Sequence, residues 1–179
     1  MLRWSIPALL SLPILLADIP FKVPEGFRIT EYASDSLTHD TWALTISEEG
    51  KVAVSGPGYI KVLLDTDEDG VADRSHMVFD KAQNPHGLLW TGEDLLSVQP
   101  KGIFLHRPPE EGVLPGSDPE LFYKLPGGGG EHGPHGIRRG PDGWFYVACG
   151  NNTRIGRDNI TTANSVSYTH LTLPTTYGV

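Results

Sequence analysis

Carboxylates alternate along DTDEDGVAD, residues 65–73: Asp65, Asp67 and Asp69 fall two apart, Gly70 permits a sharp turn, and Asp73 follows. Side chains spaced this way converge on one centre when the backbone curls. That is the oxygen donor set of a hard cation, and the Val71 carbonyl can add to it. His76 stands where an EF-hand loop carries its bidentate glutamate, and no helical pattern flanks the stretch. The expectation is a structural Ca2+ held by Asp65, Asp67, Asp69, Val71 and Asp73, pinning a hairpin. A solvated acidic turn is the alternative.

Imidazoles gather in a second stretch, GGGGEHGPHG at residues 127–136. No Lys-Ser/Thr follows the glycines, so a phosphate loop is not indicated. His132 beside Glu131, or His135, has the chemistry of a general base on an alcohol: an imidazole titrates near neutrality and an adjacent carboxylate orients it. An exposed histidine-rich loop is the bland alternative. Asn84-Pro85-His86-Gly87 repeats the pattern of Pro134-His135-Gly136. The recurrence means either the same turn made twice or two imidazoles, His86 and His135, at one mouth. Arg138 and Arg139 follow closely, and a guanidinium can clamp a carboxylate through two hydrogen bonds. Surface arginine is the alternative for each.

These residues sit in a repeating frame. WALTISEEGKVAVS (residues 42–55), HGLLWTGEDLLSV (86–98) and HGIRRGPDGWFYVA (135–148) each read as strand, polar turn, strand. The turns are expected at Glu49-Gly50, Glu93-Asp94 and Asp142-Gly143. The starts lie 44 and then 49 residues apart. That spacing, with four strands per unit, is the period of a β-propeller blade. Further strands are expected at residues 59–64, 76–79, 102–107 and 120–124. No amphipathic run of helical length interrupts them. The fold class is therefore all-β; a β-sandwich with recurring hairpins is the alternative.

Composition agrees. Gly 21 and Pro 15 in 179 residues favour many turns. A net charge of -8 without basic clusters argues against a nucleic-acid partner. One cysteine, Cys149, excludes an internal disulfide. Arg3 followed by the apolar residues 5–17 reads as a signal peptide over residues 1–17, too short for a transmembrane span, which predicts a periplasmic or secreted protein. Residues 166–175, VSYTHLTLPT, read as a translated transposon-type sequencing adapter. Residues 166–179 are accordingly expected to be an artefact, and 18–165 the natural domain.

Residues 131–151, EHGPHGIRRGPDGWFYVACGN, resemble the active segment of soluble quinoprotein glucose/sorbosone dehydrogenases. Counting back from Gly140-Pro141-Asp142-Gly143, that family's Asp-His pair falls on Glu131-His132, with His135 as the alternative if the loop aligns with a gap. Exported bacterial proteins called membrane-bound dehydrogenase-like are similar over more of the chain. They share P-x-G-F-x-I/V at residues 24–29, D-x-D-x-D-G at 65–70 and E-H-x-x-H at 131–135. The resemblance implies the N-terminal part, about two and a half to three blades, of a six-bladed (TolB-like) β-propeller. It implies hydride transfer from a sugar-like alcohol to pyrroloquinoline quinone (PQQ). His132 would be the base, Glu131 its orienter, and Arg138, Arg139 and His86 cofactor contacts. It also implies a c-type haem domain as a downstream partner. This portion alone would be inactive, because the channel is unclosed, and in the family the later blades supply further quinone-binding and calcium-ligating residues. Glu131 departs from the family's Asp. A non-catalytic propeller that binds carbohydrate or protein, with structural calcium, is the rival reading.

Overall fold

The computed structural model describes residues 21–111, 113–116, 118–125, 127, 132–150, 152–153 and 169–173, the last as backbone alone. The expected signal peptide lies outside them, as do Glu131 and most of residues 166–179. The chain divides into two compact units, Met1–Tyr32 and Ala33–Val179. In the first, residues 21–32 form no strand or helix, and a turn closes between Phe27 N–H and the Pro24 carbonyl (3.1 Å).

The second unit is all-β, with no α-helix among the described residues. One antiparallel sheet is the meander β1 (Ala43–Ile46), β2 (Val52–Gly56), β3 (Gly58–Leu64) and β4 (Arg74–Ala82). A second is β5 (Gly87–Thr91), β6 (Asp94–Gln99), β7 (Gly102–His106) and β8 (Glu120–Lys124). The third has the order β11-β10-β9, from β9 (Pro134–Arg139), β10 (Phe145–Cys149) and β11 (Thr169–Leu173). Each expected hairpin forms. One turn falls a residue early: Thr91 pairs Asp94, so the two-residue loop is Gly92-Glu93 and Asp94 opens β6. Gly92 has φ +63°, the left-handed geometry that such tight hairpins require and that a side chain disfavours. Thr169–Leu173, within the stretch read as adapter, pairs with β10.

The sheets stack with the second in the middle. Its successive side chains point to opposite faces. Leu88, Trp90 and Leu95 meet Ala53, Ile60, Val62 and Val78 of the first sheet. Leu96, Val98, Ile103 and Leu105 meet Ile137, Phe145, Val147 and Cys149 of the third. Burial on both faces explains why β6, DLLSVQ, lacks clean polar alternation. The opening strands β1, β5 and β9 lie next to one another in that order.

Candidate functional site

That adjacency brings three rings together. Trp42 precedes β1, His86 precedes β5, and His135 is the second residue of β9. Trp42 and His86 stack, with centroids 4.8 Å apart and planes 19° apart. His86 and His135 meet at 5.4 Å, tilted by 52°. The indole is 40% exposed and both imidazoles are half-buried, so the row has an accessible face. Trp42 N–H donates to the Ser55 carbonyl (2.7 Å). The segment before His86 is tied down where Ser55 Oγ donates to the Pro85 carbonyl (2.6 Å), a buried bond. Gly87 allows the close approach, because a Cβ there would overlap the His135 carbonyl oxygen.

His132 lies outside this row. Its side chain is exposed, and its carbonyl accepts the Asn152 N–H (2.9 Å). Of the two histidines considered as base, His135 is the one whose ring contacts His86. Glu131 lies outside the described residues. Arg138 and Arg139 stand three and four residues along β9 from His135, up to about 13 Å away at the rise of a strand. Arg138 is exposed and donates from Nη1 to the Ile137 carbonyl (2.8 Å). Arg139 lines a cleft of about 250 Å³ with Thr91, Asp94, Arg107, Phe122 and Phe145, at the other end of the strands. Burial there pushes the Asp94 carboxyl up, against the opposing pull of Arg107. The two arginines are thus not brought to the imidazole pair.

The acidic loop joins β3 to β4. Oxygens of Asp65, Asp67 and Asp69 lie within 4.8 Å of one another. Two oxygens on opposite sides of one Ca2+, each at about 2.4 Å, would be about 4.8 Å apart, so the cluster fits such an ion. The curl is made by backbone donors: Asp69 N–H (3.2 Å) and Gly70 N–H (2.8 Å) reach the Asp65 carboxylate, and Val71 N–H reaches Asp69 (2.8 Å). Asp73 turns elsewhere, accepting from Thr66 Oγ1 (2.6 Å) and Thr66 N–H (3.0 Å), which holds its carboxyl below the usual range. It closes the loop base rather than joining the cluster.

Sequence reasoning passed over Trp42 as a site residue. The signal was present: Trp42 opens its repeat at the position that His86 and His135 hold in theirs. It likewise passed over Ser97, Gln99 and His106, all buried polar residues of the second sheet. Cys149 is buried, which pushes its thiol up to about 11 and leaves it protonated at neutral pH.

Residues 19–172 match a protein-family model described as Domain of unknown function (DUF7133). No curated protein matches the chain.

Proposed function

We infer that this chain, which belongs to the family described as Domain of unknown function (DUF7133), is the opening part of an exported β-propeller that binds a sugar-like alcohol at the Trp42–His86–His135 row. One observation carries the reading: three rings at equivalent repeat positions meet at one end of three adjacent opening strands. An indole face stacks on the apolar face of a sugar ring. A neutral imidazole nitrogen accepts a hydroxyl proton, a step of general-base catalysis whose removal costs about 10²–10⁴-fold in rate. His135 is the proposed proton acceptor, with His86 beside it.

PQQ remains the proposed hydride acceptor on the dehydrogenase resemblance alone, with a c-type haem domain as the onward electron partner. Its carboxylates call for cations, and Arg138 and Arg139 lie away from the ring row. Neither arginine would hold the PQQ carboxylates at that row, and on the dehydrogenase resemblance that role is proposed for later blades. Calcium is proposed for Asp65, Asp67 and Asp69, where the oxygen spacing supports it.

The test is dye-linked oxidation of sugars by the full-length gene product, supplied with PQQ and calcium. His135→Ala is expected to lose at least about a hundredfold in rate, and His132→Ala far less. Full activity in His135→Ala would overturn the assignment. The accessible Trp42 face favours a second reading, a non-catalytic carbohydrate-binding module. Sugar binding that depends on Trp42, with no oxidation in saturating PQQ, would establish it.

A further inference from the structure

We propose that Gln99, Ser97 and His106, with Ser55, are positioning residues that hold His86 in the ring row. Gln99, Ser97 and His106 lie outside the row, and Ser55 meets it through its backbone carbonyl, which accepts the Trp42 N–H. They act on the strap of residues 83–86, which leaves β4 and delivers His86 to β5.

The strap is held at two points. Gln83 N–H donates to Gln99 Oε1 (2.8 Å), and the Pro85 carbonyl accepts from Ser55 Oγ (2.6 Å). Between them Asn84 takes φ +45°, the left-handed region that asparagine enters more readily than most residues with a side chain. The hold on Gln83 is backed by a buried chain. Gln99 must present its oxygen to the Gln83 N–H, so its amide nitrogen faces Ser97 Oγ (3.1 Å) and donates to it. Ser97 Oγ therefore has its own proton to give, and His106 Nε2 lies 3.0 Å away. The donor in that bond follows from the ring tautomer, since a hydroxyl can both give a proton and accept two. Nδ1 makes no well-formed hydrogen bond, and the Gly116 backbone lies beside it. Ser97, Gln99 and His106 are each at most 4% exposed. The links from Gln83 through Gln99 and Ser97 to His106 are all made, and breaking one leaves a costly buried orphan. This buried chain fixes the far end of the strap, and Ser55 fixes the near end.

The functional meaning rests on the ring row being the binding site, but the test does not use activity. In the unaltered protein, the Gln83 amide should exchange with solvent as slowly as the β6 core amides. Gln99→Met keeps the side-chain length and removes both of its bonds. It should speed Gln83 exchange at least about tenfold and move the His86 ring-proton NMR shifts, which stacking on Trp42 displaces. Ser55→Ala, which frees only Pro85, should move the same His86 shifts without changing Gln83 exchange. Rapid Gln83 exchange in the unaltered protein would overturn the proposal, whatever the fate of the variants. So would unmoved His86 shifts in folded Gln99→Met and Ser55→Ala. A protein inactive toward sugars that gives the expected exchange and shifts would fail the proposed function and leave the positioning role standing.

Discussion

His106 shows how one side chain can set a pH response. Burial pushes its imidazole down to about 4 from an ordinary 6.5, against a smaller upward push from the Gly116 backbone. The folded protein therefore keeps the ring neutral where the unfolded chain would take up a proton. Stability is whole above about pH 6.5, falls as pH drops, and levels near pH 4. The loss is on the order of 3 kcal/mol. Urea unfolding at about pH 7 and about pH 4.5 should show this fall, and His106→Leu should remove most of the difference between the two. An equal fall in the variant would assign the effect to other groups. The acidic loop gives a second prediction. Asp67 accepts none of the loop's described backbone bonds, so Asp67→Asn should leave the metal-free fold intact. Calcium at about a hundred times its Kd should stabilise the unaltered protein by about 2.7 kcal/mol and the variant by clearly less. A Tm indifferent to calcium in both would reduce the cluster to a solvated turn.

Among the elements, the approach of β5 to β9 is the tightest constraint on the site. A Cβ at Gly87 would overlap the His135 carbonyl oxygen and stand 3.1 Å from Val98 Cβ, whereas one at Gly136 would meet nothing within 4 Å. Gly87→Ala should therefore cost about 1–3 kcal/mol through overpacking and push the two imidazoles apart. Gly136→Ala should stay within about 0.5 kcal/mol. Chemical denaturation measures both, and equal costs would contradict the close approach. The hairpins themselves were legible, because Glu49-Gly50 and Asp142-Gly143 are turn residues flanked by strand-forming runs. The second turn was misplaced by one residue: Glu93-Asp94 and Gly92-Glu93 are both plausible loops on local chemistry, and the register of Trp90 against Leu95 decides between them. The faces were less legible. Ser97 and Gln99 are polar residues on β6 that point into the interface with the first sheet, where His106 and Phe79 lie, a placement the residue types do not announce. Hydrogen-bond partners nine and sixteen residues away make that burial tolerable, and local periodicity does not register them.

At the scale of the whole unit, the repeat made the neighbouring of the sheets legible, because a meander buried on one face needs another beside it. It did not make legible which ring chemistry the row would hold, since Trp42 breaks the histidine pattern. Nor does nearness in sequence place Arg138 and Arg139 beside the His135 ring, because an extended strand turns three or four residues into distance. The same period-two geometry leaves a further consequence. Trp42, Leu44 and Ile46 alternate along the entry to β1 and are 40%, 50% and 59% exposed. Leu44 and Ile46 share the face opposite the one that meets the second sheet, beside the buried Val52 and Val54 of β2, whereas Trp42 turns its ring onto His86. Apolar groups in a row on an edge strand invite association, because β1 also has one backbone edge without a ladder partner among the described residues. Leu44→Thr with Ile46→Thr puts a β-branched residue, suited to a strand, at both positions and removes the strip. The pair should lower self-association in sedimentation velocity and reduce binding of a hydrophobic dye, at a cost to stability within about 1 kcal/mol, since both sites are already half in water. Trp42 is left in place, so the ring row should be unchanged. If self-association persisted undiminished in the double variant, the strip would not be what draws the molecules together.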